Sequence, residues 1–253
     1  MELKSEPTFN FRKCFSTKFL TEKLRLLLDN ETLFKIASDN RNKDDDEIFA
    51  IMSTKYKKMD DAYFNINKIK YLDNVPGMSS NYEVLDFGGS NGSIAAAIAK
   101  YYKIKTVNIV DVHRPEYAVK DSHIAYKQIS NNKLPYNDDT FDVITCFMVL
   151  HHISPNDIAQ CIDEIYRCCK KYLLIQEHDC NDDMKYILDI LHGLYIFVYK
   201  EDDYEKINQM AEYHAWYKSA GQFDALFHGK FKLVKRFHTN KVQKNFVAVY
   251  EKI

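Results

Sequence analysis

Residues 84–93 have the sequence Val84-Leu85-Asp86-Phe87-Gly88-Gly89-Ser90-Asn91-Gly92-Ser93. The apolar start predicts a buried strand, and the closely spaced glycines predict a tight turn after it. An alanine-rich stretch at residues 94–100 follows and predicts a helix. Glycines at such a turn let a ligand approach bare backbone, and the helix start offers unpaired N–H groups. The run therefore predicts a ligand site between a strand and a helix.

A second strand is predicted over residues 106–110, directly before Asp111. Asp111 lies 19 positions after Gly92, near the spacing at which an acidic residue binds a nucleotide ribose. We therefore predict a nucleoside cofactor. The NAD fingerprint G-x-G-x-x-G is absent, and the run instead has the pattern Asp-x-Gly-x-x-x-Gly, which begins at Asp86. A carboxylate just before the turn would repel a pyrophosphate but suits a cationic amino-acid group.

This pattern resembles motif I of the class I S-adenosylmethionine (SAM)-dependent methyltransferases, usually Asp-x-Gly-x-Gly-x-Gly. Ser90 stands where the family has its central glycine. Residues 134–144, with Leu-Pro-Tyr and then Thr-Phe-Asp, resemble the family's approach to its fourth strand, and residues 146–153 resemble the segment that follows. The resemblance extends from about residue 84 to residue 179 and resumes from residue 219 to the C-terminus.

The family resemblance and the alternation of strands with helices imply an α/β fold. The expected fold is a seven-stranded, mostly parallel sheet with helices on both faces. We expect an N-terminal helical extension over residues 1–78 and a SAM-binding domain over residues 79–253, with a helical insert at 181–218 before the last two strands. The helical extension would either cover the cofactor or pack against the sheet.

The resemblance also implies the cofactor, SAM, its product, S-adenosylhomocysteine (SAH), and the residues that bind them. In the family, an acidic residue four places before Leu-Pro often contacts the adenine amino group, and here that place is Ser130, with Asn131 beside it. Side chains that follow the fourth strand are expected to shield the sulfonium from water. The predicted cofactor-binding residues are Asp86, Gly88, Gly89, Ser90, Gly92, Asp111, Val112, Ser130, Asn131, Phe147 and Met148.

A different enzyme class has a pattern on the same residues. Residues 88–92 also match G-x-S-x-G, the nucleophile elbow of α/β-hydrolases, with Ser90 as the nucleophile. That fold needs several strands before its elbow, whereas the first eighty residues are predicted to be mostly helical. The hydrolase interpretation also gives no role to Asp86 or Asp111, so it is disfavoured.

Methyl transfer needs a general base only where the acceptor must lose a proton. The candidates follow two predicted strands. His178 and Asp179 follow a strand over residues 172–176, and His151 and His152 follow the fourth strand. The predicted catalytic residues are His178, placed first because carboxylates flank it, and His151. The alternative for each is a structural, hydrogen-bonded histidine.

The insert is predicted to form helices over residues 182–199 and 204–218, and it is dense in aromatic rings. Many of these rings are expected to pack in the core. Because the insert follows a strand end, some are expected to line the acceptor. The predicted substrate residues are Tyr213, His214, Trp216 and Tyr217. A helix capped by Ser219 and a closing strand pair at 231–237 and 246–250 follow, and Ser154 is predicted to cap an earlier helix over 157–169.

Three hypotheses for the acceptor or role remain open. The Leu-Pro-aromatic and Val-Leu-His-His signatures favour a small-molecule acceptor. The Leu-His-His segment also resembles that of messenger-RNA cap guanine-N7 methyltransferases, and a basic tail could follow the phosphates of capped RNA. The third is a non-catalytic partner subunit of a protein complex. The basic tail comprises Lys230, Lys232, Lys235, Arg236, Lys241 and Lys244.

Composition limits the other possibilities. The chain has 253 residues, a formal net charge of −1 and 46% hydrophobic residues, which is typical of a globular α/β protein. The six cysteines show neither a C-x-x-C pair nor zinc spacing, so we predict reduced thiols and no metal site. No signal peptide or membrane span is predicted, and the expected location is cytoplasmic.

Overall fold

A computed structural model of the chain describes residues 66–114, 118–130, 133–180, 216–239 and 245–253. Most of the predicted N-terminal helical extension, most of the insert, and the site residues Asn131, Tyr213 and His214 lie outside the described residues. The chain divides into two compact units, and the sheet belongs to the unit formed by residues 63–179, 218–239 and 245–253. The predicted domain division at residue 78 stays a prediction.

Helices and strands both occur among the described elements, and three successive strands in the middle of the chain have no helix between them within the described residues. The helices are α1 (Ile66–Lys70), α2 (Ser93–Tyr102), α3 (Ile158–Cys168) and α4 (Ala220–Phe227), with 3-10 turns at Tyr71–Asn74 and Leu150–His152. The strands are β1 (Val84–Phe87), β2 (Val107–Asp111), β3 (Ile124–Gln128), β4 (Phe141–Phe147), β5 (Cys169–His178), β6 (Phe231–His238) and β7 (Asn245–Lys252).

The strands form one seven-stranded sheet in the order β3-β2-β1-β4-β5-β7-β6. Strands β1 to β5 run parallel, whereas β7 is antiparallel to both β5 and β6. The predicted fold class is therefore confirmed. Because β1 pairs with β2 on one side and β4 on the other, the strand order reverses at β1. In open α/β sheets, ligands bind at the carboxyl ends of the strands beside such a reversal.

Each face of the sheet has its own hydrophobic core. Successive strand side chains point to opposite faces, so Leu85 packs with α3 and α4, whereas Val84 packs with α2. Both faces are covered by helices, which explains why β1 and β4 are buried along their whole length. The two cores hold the carboxyl ends of the parallel strands in a fixed register.

A predicted strand end and a predicted helix cap differ from the structure. Strand β5 extends to His178 instead of ending at residue 176, because β7 pairs with it up to the partners His178 and Asn245. His178 is therefore the last residue of the strand. Helix α3 begins at Ile158, and the Ser154 hydroxyl donates to Asp157 Oδ2 (2.6 Å) instead of capping the helix with its side chain.

The described cysteines are buried free thiols: Cys146, Cys161, Cys168, Cys169 and Cys180. Burial raises the pKa of Cys161 to about 12 and the pKa of Cys146 well above its usual value, so these thiols stay protonated. Within the ranges given above, the structure has no helix long and apolar enough to cross a membrane.

Candidate active site

The turn between β1 and α2 uses left-handed backbone at three positions. Gly88 has φ +72, Gly92 has φ +80, and Ser90 adopts φ +48 between them. The Gly88 N–H donates to the Val110 carbonyl (2.8 Å), which ties the turn to the end of β2. Glycine adopts this conformation at little cost, whereas other residues are strained there. The predicted strand, turn and helix are therefore present, with Gly92 directly before the first helical residue.

Gly88 is also required by a close neighbour. A Cβ built at Gly88 would lie 2.5 Å from Cγ2 of Val149, which belongs to the segment after β4. We expect Gly88→Ala to lower the free energy of unfolding by roughly 2–4 kcal/mol, from backbone strain and overpacking together. Thermal or urea unfolding measures this loss.

Gly221→Ala is the matched control for that substitution. Gly221 lies in α4, is exposed and has nothing within 4 Å of a built Cβ. Because alanine favours helices, the control is expected to raise stability by as much as about 1 kcal/mol. Equal stability of Gly88→Ala and the wild type would show that the turn and the segment after β4 do not need this close approach.

Asp86 is a buried carboxylate with one unsatisfied oxygen. Asp86 is only 2% exposed, and its Oδ1 accepts a hydrogen bond from the Thr145 hydroxyl (2.7 Å). Oδ2 has no hydrogen-bond partner in the part of the chain that the structure describes. A Cβ at Gly89 would lie 2.7 Å from this oxygen, so Oδ2 lies directly beneath the glycine turn. Burial raises the pKa of Asp86 to about 6, although Thr145 and Lys68 oppose the shift.

Asp111 lies across the turn from Asp86, at the end of β2. Its Oδ2 accepts from the Ser90 N–H (2.8 Å) and its Oδ1 from the His113 N–H (3.1 Å). The next residue, Val112, is 68% exposed, which is unusual for a large apolar side chain. Ser130 is exposed just past β3, where the Ile129 N–H donates to the Asp111 carbonyl (2.9 Å). The predicted ribose and adenine positions therefore follow neighbouring strand ends.

Phe147 and Met148 differ in their surroundings. Phe147 is 7% exposed and packs edge-on against Tyr71, with ring centroids 6.3 Å apart. Met148 is half-buried, has φ +63, and its N–H donates to the Gln176 carbonyl (2.8 Å). A positive φ at a non-glycine residue costs energy and is found most often at functional sites. Met148 thus marks the point at which the chain leaves β4 for the site.

Glu177 joins the ends of β4 and β5. It is fully buried, and its Oε1 accepts from the N–H groups of Val149 (2.9 Å) and Leu150 (2.7 Å). Its Oε2 lies 2.5 Å from His151 Nδ1. Burial raises the pKa of Glu177 to about 7, while His178 and the two backbone donors lower it. The sequence placed Glu177 beside His178 as one of its flanking carboxylates, but it did not indicate that Glu177 would contact His151.

The two predicted catalytic histidines lie side by side, with ring centroids 5.1 Å apart. His151 is 3% exposed and His178 is 8% exposed. The His178 Nδ1 lies 2.6 Å from Asn245 Oδ1, a partner that the sequence did not suggest. Burial lowers the pKa of His178 to about 3, and the neighbouring His151 adds to that shift, so His178 is neutral. Of the predicted substrate residues, Tyr217 is buried and Trp216 is half-buried.

Comparison with known proteins identifies the family. Residues 85–174 match a family described as a methyltransferase domain. This part of the chain is therefore a methyltransferase domain, in agreement with the resemblance to class I SAM-dependent methyltransferases. The matched residues begin within β1, include the glycine turn and Asp111, and end within β5. A match that includes Gly88 to Gly92 favours the methyltransferase interpretation of this turn over the hydrolase elbow.

Known relatives agree with this assignment. The uncharacterized methyltransferase YcgJ of Bacillus subtilis is 29% identical over 114 residues, which cover 41% of this chain and 44% of YcgJ. The chain therefore matches less than half of that relative's length. A chain from the complex containing the Haloferax volcanii Trm112 methyltransferase activator shares the fold, with a TM-score of 0.55, 12% identity and coverage of 81% of this chain and 95% of that one.

A third protein with the same fold is the Burkholderia thailandensis 1,6-didemethyltoxoflavin-N1-methyltransferase, solved with 1,6-didemethyltoxoflavin and SAH. It has a TM-score of 0.52 and 13% identity, and the match covers 81% of this chain and 89% of that one. At these identities the likeness concerns the fold.

Proposed function

We propose that this chain is a SAM-dependent methyltransferase whose acceptor is a small molecule. The observation that carries the proposal is the unsatisfied, buried Oδ2 of Asp86 beneath the glycine turn. A buried carboxylate oxygen without a donor is costly. The ammonium of the methionine portion of SAM is a positively charged hydrogen-bond donor. The glycine turn lets this portion approach the protein backbone closely. An NAD pyrophosphate would be repelled at the same place.

The other cofactor contacts in the proposal follow from neighbouring strand ends. Asp111 would accept hydrogen bonds from the ribose hydroxyls, and the exposed Val112 offers an apolar surface for the adenine ring. Ser130 and Asn131 would lie at the adenine edge, and Met148 beside the methionine portion. The remaining proposed contacts are Gly88, Gly89, Ser90, Gly92 and Phe147.

SAM supplies an already electrophilic methyl carbon, so the protein needs chiefly to align the acceptor and exclude water. The groups at the ends of β4 and β5 fit that task because His151, Glu177 and His178 are all buried. Acceptor residues are proposed in the insert, at Tyr213, His214, Trp216 and Tyr217. The rings there would supply apolar walls for a small acceptor.

Charge pairing in the basic tail favours a small molecule over capped RNA. Arg236 is bonded to Asp224 and to the Tyr250 hydroxyl, and Lys230 lies 3.1 Å from Asp163. These two cations are therefore partly neutralised, and a phosphate would have to compete with carboxylates for them. Lys232 and Lys235 are exposed on β6, and Lys241 and Lys244 lie outside the described residues.

Methyl transfer at two salt concentrations tests the acceptor class. Labelled SAM is supplied with a metabolite extract or with capped RNA, at about 50 mM and about 200 mM salt. A small acceptor in the extract should be methylated almost equally at both concentrations. If capped RNA is methylated, and less so at the higher salt, the guanine-N7 hypothesis replaces ours. Tight SAH binding without transfer to either preparation would identify a non-catalytic partner subunit.

A further inference from the structure

We propose that Glu177 positions His151 as the proton acceptor of the transfer, so that the acceptor molecule reacts through a hydroxyl or an N–H group. This inference rests on the proposed methyltransferase function and assigns a role to a carboxylate that the cofactor site does not use. His151 would be the catalytic base that touches the acceptor, and Glu177 would act through it.

The contacts of Glu177 divide between its two oxygens. Oε1 accepts the Val149 and Leu150 N–H groups, which holds the backbone just before His151. Oε2, at 2.5 Å from His151 Nδ1, holds the ring itself. One fully buried carboxylate thus fixes both the backbone before His151 and the side chain of His151. Fixed orientation of this kind is what a general base requires.

The pairing also determines which ring nitrogen is basic. An ionised carboxylate only accepts hydrogen bonds, so Nδ1 must carry the hydrogen that Glu177 accepts. The neutral ring then has its lone pair on Nε2. The Nδ1 of His178 instead faces Asn245 Oδ1, the oxygen of a neutral amide, and the low pKa of His178 makes it a weak base. This difference favours His151 over His178.

The proton transfer balances without a further reactant. The nucleophile of the acceptor forms a bond to the methyl carbon while the bond between that carbon and sulfur breaks, and its electrons stay on sulfur to give SAH. The acceptor's proton moves to His151 Nε2. The resulting imidazolium is stabilised by the Glu177 carboxylate and later releases its proton to water. An acceptor without an exchangeable proton would need no general base, and the pair would then have no role in the transfer.

The electrostatic surroundings of the pair determine the pH dependence. A base acts only in its deprotonated form, so the rate of transfer is expected to rise with pH as the pair of imidazolium and carboxylate loses a proton to give the neutral ring and the ionised carboxylate. The neighbouring histidines oppose a second positive charge, and the cation of Lys218 favours the ionised carboxylate. The titratable or charged groups that face Glu177 and His151 are Cys146, His152, His178 and Lys218.

The decisive variant is Glu177→Gln. Glutamine keeps one oxygen for the two backbone donors, but its amide donates to His151 Nδ1 and thereby moves the ring hydrogen to Nε2. We expect the ¹⁵N spectrum of the labelled ring to show the reversed tautomer. The kcat for transfer, measured with the preparation on which the wild type acts, is expected to fall about 100-fold. SAH affinity by calorimetry should stay within about twofold.

Two further variants separate this role from a structural one. Glu164→Gln removes a carboxylate that also accepts a backbone N–H, from Leu134 (2.8 Å), and it should leave kcat and the His151 tautomer unchanged. His151→Asn can still donate to Glu177 but cannot take up the proton, and it should lose transfer as Glu177→Gln does.

Transfer at near wild-type rates by either Glu177→Gln or His151→Asn would overturn the proposal, as would an unchanged His151 tautomer in Glu177→Gln. Failure of the proposed function gives a different result, because the wild type itself would then transfer no methyl group to a small acceptor, whether or not it binds SAH. In that case the proposal is rejected together with the function on which it rests.

Discussion

Replacing Asp111 with alanine is expected to weaken SAH binding about 100-fold, which corresponds to about 2.7 kcal/mol. The carboxylate already accepts from the Ser90 and His113 N–H groups, yet its two oxygens have room for about four donors. Two ribose hydroxyls would use the remaining positions, and hydrogen bonds to a charged group contribute about 1.5–3 kcal/mol each. Calorimetric titration with SAH measures the loss.

Asp121→Ala is a matched control for this substitution. Asp121 also accepts an N–H two residues ahead, from His123 (2.8 Å), but it lies before β3, at the other end of the parallel strands. Removing it should leave SAH affinity unchanged. If Asp111→Ala binds SAH as tightly as the control, Asp111 does not bind the ribose and the assignment of this strand end is wrong.

The geometry of the turn after β1 could be predicted from sequence because its signals are local. Asp86, the glycines and helix α2 are contiguous, and Asp111 ends the next strand at the distance expected for a nucleotide-binding unit. Alternation of strands with helices then implied the parallel sheet, and the structure confirms the fold class. The unsatisfied Oδ2 of Asp86 is a property of packing, however, and no sequence pattern indicates it.

The contacts at the ends of β4 and β5 could not be predicted because they are long-range. Glu177 lies 26 positions from His151, and Asn245 lies 67 positions from His178. Only the pairing of β5 with β4 and β7 brings these residues together. The same pairing lengthened β5 beyond its apolar core. Residue type suggested the two histidines, but only the tertiary contacts distinguish the one held by a carboxylate from the one held by an amide.

Asp86 is expected to make the unbound protein less stable as the pH rises. Burial raises its pKa to about 6 from its ordinary value of 3.8. Between pH 3.8 and pH 6 the folded state therefore binds more protons than the unfolded state. The protein is most stable with respect to Asp86 below pH 3.8, and this stability is lost as the pH rises through 6. At neutral pH the cost is about 3 kcal/mol. Asp86→Asn should recover much of it while weakening SAH binding.

Asp142→Asn is the matched control, because Asp142 is also buried but both of its oxygens have partners. Burial alone would raise the pKa of Asp142, but the Lys171 ammonium (2.9 Å) and the Glu83 N–H (3.0 Å) outweigh burial and lower it. The control should therefore destabilise the protein at neutral pH, whereas Asp86→Asn should stabilise it. The control should not change SAH affinity.

SAH affinity itself is expected to depend on pH through Asp86. The ammonium of SAH binds the ionised carboxylate, so below pH 6 binding must first remove a proton from Asp86. The apparent dissociation constant should then rise about tenfold for each pH unit below that value and level off above it. Calorimetry in buffers of different ionisation enthalpy would detect the released proton. A flat affinity from pH 5 to 8 in the wild type, equal to that of Asp86→Asn, would mean that Asp86 does not bind the ammonium and that its unsatisfied oxygen has another role.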